Sequence, residues 1–448
     1  MIIPLKLGSI DYGALTSLCG ASVPDAIKAL RPRRLVTDSR EVEKGDLFCA
    51  LKGLKDGHSY TEEAARRGAE AVLAERKTNA PLPHIIVPSV RRALGDWSNG
   101  ISGKDQLLRI GITGSVGKTT VKEAVACMLS PHFPIHATYG NFNNDLGLPF
   151  TILSAPHETK ILICELGINR IGEMQELSRI LRPHISVITC IGHAHIGAFG
   201  TRETIASEKL EILRYAEAKG TLFVPSGEKL LSRILPRGIK RISVTPFTEA
   251  DYVHCQFKSH FEDTARNFAL GYAKALGEHL GLSKDKIKMG LERILSLETH
   301  RHESIFLKML FIDDGYNASP ESMLGALRYL SSKSGERHVA VLGDMLELGE
   351  ESDRYHRAVG RFAAKHAERL FFFGVYAKDY ATGALAEGMC QISKSDSEKP
   401  GFSILSGERA EIAKQISAAL RKGDTVLFKA SRAQQIEKII EEIKKQML

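Results

Sequence analysis

Short apolar runs that break abruptly into glycine, asparagine, aspartate or serine recur along the chain, with helical spacing after many of them. Such runs read as buried strands that end in ligand-facing turns. In residues 1–100, Leu35-Val36 runs into Thr37-Asp38-Ser39-Arg40, Leu47-Phe48-Cys49-Ala50-Leu51 follows the turn Gly45-Asp46 and ends at Lys52-Gly53, and residues 61–68 have helical character. From 101 to 300, Leu107, Leu108 and Ile110 lead into a glycine-rich turn and a helical stretch at 121–129. Ile161-Leu162-Ile163-Cys164 ends at Glu165, and the run over residues 185–191 ends at Gly192-His193-Ala194-His195. A helix is predicted from an N-cap at Thr201 through Ile212. From 301 to 448, Phe311-Ile312, Val339-Ala340-Val341-Leu342, Leu370-Phe371-Phe372-Phe373 and Thr425-Val426-Leu427-Phe428 break into polar turns in the same way. The pattern predicts an α/β fold of three domains: a small N-terminal α/β domain (1–100), a central parallel-sheet domain of P-loop ATPase type (101–300) and a C-terminal Rossmann-like domain (301–448). No GxGxxG fingerprint accompanies the last, which argues against a dinucleotide role.

The glycine-rich turn carries the sharpest chemistry. Gly114-Ser115-Val116-Gly117-Lys118-Thr119-Thr120, between a strand and a helix, is a phosphate cradle. Glycines let backbone amides approach a polyphosphate, Lys118 reaches the outer phosphates, and Thr119 offers a hydroxyl to magnesium. The upstream glycine, Gly111, stands one place too early for the strict GxxxxGK pattern. Glu165 and His195, each at or just beyond the end of a predicted strand, are candidate magnesium ligands or orienters. Lys209, on the predicted helix, reads by itself as a solvated lysine. Ser39, Arg40, Lys52 and Gly53 sit at strand ends, where they suit a ligand or ordinary turn chemistry equally well. The loop Gly140-Asn141-Phe142-Asn143-Asn144-Asp145-Leu146-Gly147-Leu148-Pro149 can likewise present amides and side-chain carbonyls.

At 448 residues the chain exceeds one hydrophobic core. Its net charge of +8 is not concentrated in a basic block interleaved with aromatics, so nucleic acid is not an expected partner; a polyanionic small substrate is. Seven scattered cysteines without a CxxC pair suggest a reducing compartment and no structural zinc. No secretory signal or membrane-length apolar run is seen. A cytoplasmic monomer without stable membrane insertion is expected.

Together these segments resemble the Mur ligases of peptidoglycan synthesis over nearly the whole chain. Asp38-Ser39-Arg40, Gly45-Asp46-Leu47-Phe48 and Asp56-Gly57-His58 are similar to that family's UDP-binding domain, residues 114–120 to its ATP loop, and residues 140–149 to its asparagine-rich loop. Asp313-Asp314-Gly315-Tyr316-Asn317-Ala318-Ser319-Pro320, together with Leu342-Gly343-Asp344-Met345-Leu346-Glu347-Leu348-Gly349 and His356, resembles the members that add D-alanyl-D-alanine. The resemblance implies ATP and Mg²⁺ as cofactors, with UDP-N-acetylmuramoyl-tripeptide and D-Ala-D-Ala as substrates joined through an acyl phosphate. It implies catalytic roles for Lys118, Lys209 and His195, and nucleotide contacts from Gly114, Ser115, Val116, Gly117, Lys118, Thr119, Thr120, Arg301, Asp314 and Asn317. Ser39, Arg40, Lys52 and Gly53 would bind the UDP substrate. Thr119, Glu165, His195 and Lys209 form the implied magnesium set, Lys209 matching the lysine that the family carbamylates. Lys429, Ser431 and Arg432 match a motif that closes on the site.

The chain departs from the family pattern at His300-Arg301 (usually Gly-Arg), at Ala430-Ser431-Arg432 (usually Gly-Ser-Arg), at Asp263-Thr264 and over a short stretch at 250–265. A related ligase with another amine acceptor, or a nucleotide-binding scaffold that has lost catalysis, stays open on sequence.

Overall fold

The computed structural model describes residues 2–4, 11–102, 107–236, 238–248, 264–296, 302–392 and 400–448. The shortened stretch at 250–265 lies almost wholly outside them. The chain folds into two compact units. Met1–Gly114, Val121–Thr189 and Ala206–Val244 form the first, and Ser115–Thr120, Cys190–Ile205 and Thr245–Leu448 form the second.

The first unit holds two sheets. The N-terminal sheet orders β1 (Ile2–Pro4), β2 (Arg34–Val36), β3 (Leu47–Cys49), β4 (Ala71–Ala74) and β5 (His84–Ile86) as in the chain. Only β1 runs antiparallel to its neighbour. Val90, Ala93, Leu94, Trp97 and Ile101 form a buried stripe at helical spacing on the helix Val90–Ser102. That stripe shares one core with Leu35, Leu47 and Leu73 of the N-terminal sheet and with Phe150 and Leu153 of the helix Gly147–Leu153.

The second sheet of this unit is wholly parallel, in the order β11-β10-β9-β6-β8-β7. Its strands are β6 (Leu108–Thr113), β7 (Ile135–Ala137), β8 (Ile161–Glu165), β9 (Ile185–Ile188), β10 (Thr221–Pro225) and β11 (Lys240–Val244). Strands β8, β9 and β10 are buried throughout, as expected of parallel strands covered on both faces. The chain leaves β6 toward β7 and β8, then crosses to β9 on the other side. The carboxyl end of β6 is therefore a topological switch point, where doubly wound sheets bind ligands.

The second unit carries a sheet ordered β12-β13-β17-β14-β15-β16, parallel except for β12 against β13. Its strands are β12 (His302–Phe306), β13 (Met309–Asp313), β14 (Arg337–Leu342), β15 (Arg369–Phe373), β16 (Gly401–Leu405) and β17 (Asp424–Lys429). Side chains alternate between two cores. Ala340, Leu342, Leu370 and Phe372 join the helices Pro320–Ser332 and Ser352–Ala364, while Val339, Val341, Phe371 and Phe373 join Arg409–Ser417 and Ile436–Met447. At the amino end, Arg337 forks onto Asp424 at 2.9 and 2.7 Å, both buried. Among the described residues no helix is long and apolar enough to cross a membrane.

Candidate functional site

The turn after β6 has the backbone that a phosphate cradle needs. Gly114 has φ +150°, and a Cβ there would lie 1.8 Å from Oγ1 of Thr189. Gly117 has φ +83° and is equally suited to glycine. Within the second unit the cradle is braced by the segment Cys190–Ile205. Ser115 N donates to Cys190 O at 3.0 Å, and Gly192 N donates to Ser115 Oγ at 2.9 Å. Lys118, Thr119 and Thr120 form the first turn of the helix Lys118–Leu129, whose leading amides have no intrahelical acceptor.

Glu165 ends β8, paired in register with Ile112 of β6, and its side chain is buried. Asn143 donates to its carboxylate at 2.8 Å, and Glu165 N donates to Thr138 Oγ1 at 3.0 Å. The buried Lys122 donates to Thr138 O at 2.8 Å. One asparagine of the loop thus serves the carboxylate. Asn144 instead accepts from the amides of Leu146 and Gly147, which is turn chemistry. Beside this strand end lies a cleft of about 460 Å³ lined by Asn144, Gly167, Arg170 and Ile171 among others.

The predicted helix from Thr201 is observed as Arg202–Leu210, with Thr201 Oγ1 accepting from Thr204 N at 3.1 Å. Lys209 is only 4 % exposed, so the solvated reading of that residue does not hold. A buried ammonium is costly unless it is paired or chemically altered. Its neighbour Glu208, also buried, accepts from Gly172 N and Met174 N at 2.8 and 3.1 Å, fixing the start of the helix Glu173–Leu181.

In the second unit His195 is left-handed (φ 61°), with Nδ1 2.5 Å from a carboxylate oxygen of Glu347. That hydrogen bond holds the Glu347 carboxyl below its usual range. His193 pairs in the same way with Glu321 at 2.5 Å. Burial alone would raise the Glu321 carboxyl, but the hydrogen bonds from His193 leave it lowered. At the carboxyl ends of β13 and β17, the buried Lys429 meets the Asp314 carboxylate at 3.0 Å and donates to Asn317 O at 2.9 Å. Two of the expected nucleotide contacts, Asp314 and Asn317, therefore stand together; the third, Arg301, lies outside the described residues. Ser431 Oγ accepts from Leu346 N at 2.8 Å, tying the turn after β17 to that after β14.

In the N-terminal sheet, Ser39 and Arg40 follow β2, and Lys52 and Gly53 follow the adjacent parallel strand β3, so all four lie at one edge. Ser39 donates to Glu63 at 2.7 Å. Arg40 forks onto Asp38, whose carboxyl it holds far below the usual range, and Lys52 pairs with Glu75 at 2.5 Å.

The signals that sequence reading missed are the supports: Lys122, Thr138, Glu208, Glu321 and Glu347. Of these, Glu347 sat inside a motif already singled out, residues 342–349, and Lys122 and Glu208 inside predicted helical stretches; Glu321 follows directly on the motif that ends at Pro320.

Among the described residues no group of three or more His, Cys, Asp or Glu side chains is arranged to hold a metal. Magnesium in nucleotide sites takes one or two protein oxygens besides phosphates and water, so a buried, oriented carboxylate such as Glu165, opposite Ile112 of β6, fits it.

Comparison with known proteins agrees with this arrangement. Residues 33–100 match the model of the Mur ligase family catalytic domain, 112–276 that of the Mur ligase middle domain, and 300–432 that of the Mur ligase glutamate ligase domain. The chain is 33 % identical over 435 residues to the UDP-N-acetylmuramoyl-tripeptide–D-alanyl-D-alanine ligase of Bacillus subtilis, covering 91 % of this chain and 92 % of that one. It is 32 % identical over 457 residues to the Treponema pallidum enzyme of the same name, covering 94 % and 95 %. Among solved structures, MurF from Acinetobacter baumannii superposes with a TM-score of 0.83 at 28 % identity, over 99 % of this chain and 100 % of that one. MurF from Thermotoga maritima in complex with ADP gives 0.77 at 28 % identity, over 92 % and 97 %. With three α/β sheets, a phosphate loop at the switch point and end-to-end similarity of this kind, the chain belongs to the Mur ligase family.

Proposed function

We propose that this protein is an ADP-forming amide ligase that joins D-alanyl-D-alanine to UDP-N-acetylmuramoyl-tripeptide, in the cytoplasm, as a monomer. The observation that carries this reading is the alignment, at 33 % identity and over nine-tenths of both chains, with a ligase named for that reaction. The three domains divide near residues 100 and 300.

The chemistry runs in two displacements. The terminal carboxylate of the tripeptide attacks the γ-phosphorus of ATP, and ADP leaves. The amine of D-Ala-D-Ala then attacks the acyl carbon, phosphate leaves, and the nitrogen loses a proton. Magnesium, when bound, neutralises charge on the transferring phosphoryl group. Lys118 does the same from the first turn of its helix, and the amides of residues 114–117 hold the phosphates in line. Thr119, Glu165, His195 and Lys209 would hold the metal. Lys209, carbamylated, would be an oxygen donor rather than a cation, a chemistry its burial favours. Asp314, Asn317 and Arg301 contact the nucleotide, and Ser39, Arg40, Lys52 and Gly53 hold the UDP moiety.

The test is phosphate release from ATP with the UDP-linked tripeptide, with and without D-Ala-D-Ala, and mass spectrometry of the nucleotide product. Release that needs both substrates and yields the UDP-linked pentapeptide is expected, and Lys118→Ala should abolish it. Release with another amine only would change the acceptor. Silence with every amine would sink the ligase reading. In the same assay Lys209→Ala should be inactive and partly rescued by a short added carboxylate; full activity without rescue would refute carbamylation.

A further inference from the structure

Among the described residues six that are not glycine have positive φ, and two of them, His195 (61°) and Glu347 (68°), are hydrogen-bonded to each other. Each is followed two places on by a glycine, and these also meet. Gly197 N donates to Glu347 O at 2.9 Å; a Cβ on Gly197 would lie 2.8 Å from Gly349 N, and one on Gly349, itself at φ +66°, would lie 2.9 Å from Gly197 Cα. Two turns, His195-Ile196-Gly197 and Glu347-Leu348-Gly349, are thus clasped backbone to backbone. Left-handed backbone at a non-glycine residue is unfavourable and persists where the surroundings over-determine it.

The side-chain contact itself is no reason to keep such strain. The Glu347 side chain is 60 % exposed, and pairs of that kind add little to stability. What the pair does determine is the imidazole. A carboxylate only accepts, so the proton rests on Nδ1 of His195, and Nε2 is the nitrogen turned to other partners. The adjoining turn supplies the rest: the segment bearing His195 also carries Cys190 and Gly192, which brace the phosphate loop through Ser115.

From this geometry we infer that Glu347 is a positioning residue for the ligase reaction, acting through His195, whose ring orientation and tautomer it sets. The inference rests on the ligase reading and on a role for His195 in it. Removal of Glu347 lowers turnover while leaving substrate affinity and folding essentially intact.

The test is a double-mutant cycle on the full chain, in the two-substrate assay, with Glu347→Ala, His195→Ala and both together. Glu347→Ala should reduce kcat about 10- to 100-fold, in the range of lost carboxylate–histidine supports, with KM for the UDP substrate within about twofold. The double variant should be no slower than His195→Ala alone, because the two act as a unit. Glu347→Gln, which keeps an acceptor, should recover most of the activity, and all variants should melt within a few degrees of wild type. Fully additive losses, or Glu347→Ala at wild-type kcat, would overturn the inference while an active wild type leaves the ligase reading standing. An inactive wild type would instead remove the reading on which the inference rests.

Discussion

Gly114 shows how much of a site can depend on the absence of one carbon. Its φ of +150° and the 1.8 Å approach of Thr189 Oγ1 to a notional Cβ mean that alanine there must move either the loop or β9's end. Gly114→Ala is therefore expected to cost about 1–3 kcal/mol of local strain and to lower phosphate release at least tenfold. A fully active variant with an unchanged melting temperature would refute the close approach. Lys209 shows the opposite case, a residue whose setting could not be read locally. By itself it read as a solvated lysine, and the resemblance alone suggested otherwise; it is buried beside Glu208, whose carboxylate caps another helix. Glu347 was out of reach for a simpler reason, since its contact with His195 spans roughly 150 residues of chain.

The helix Ser352–Ala364 and the turn after β14 are joined by a buried imidazole. His356 Nδ1 lies 2.6 Å from Ser352 O, and Met345 N donates to its Nε2 at 2.9 Å, so the ring is neutral with its proton on Nδ1. Burial lowers its pKa from the ordinary 6.5. Between those two values the unfolded chain binds a proton that the folded chain refuses, so stability is full above about 6.5 and is lost as the pH falls toward the folded value. The melting temperature should fall more steeply between pH 7 and 5 for wild type than for His356→Gln; identical slopes would contradict this. Such strands and helices were legible where apolarity was continuous. The run ending at Glu165 was read residue for residue as β8, and β14, β15 and β17 were read to within a few residues. The edge strands β7 and β11 were not, because Ile-His-Ala is half-buried and Lys-Arg-Ile-Ser-Val is half-buried or exposed up to its last residue, so neither carries a continuous apolar signal. The predicted strand over 185–191 stops at Ile188, since Thr189 and Cys190 turn to meet the phosphate loop.

Over the whole chain, three sheets are distributed between two units with largely separate cores. Unfolding is accordingly expected to resolve into more than one calorimetric transition. ADP at about 100 times its Kd should add about 2.7 kcal/mol to the transition of the part that binds it. One cooperative transition, shifted as a whole, would contradict this division. The clasp between His195 and Glu347 also has a consequence in time. The ribosome makes His195 first and reaches Glu347 roughly 150 residues later, on the order of 8–30 s at ordinary rates of synthesis. For that interval the nascent chain carries a complete phosphate loop but an unoriented histidine. A chain cut short before Glu347 stays in that condition permanently, so interrupted translation leaves fragments that can fold in part yet lack the contact that orients His195.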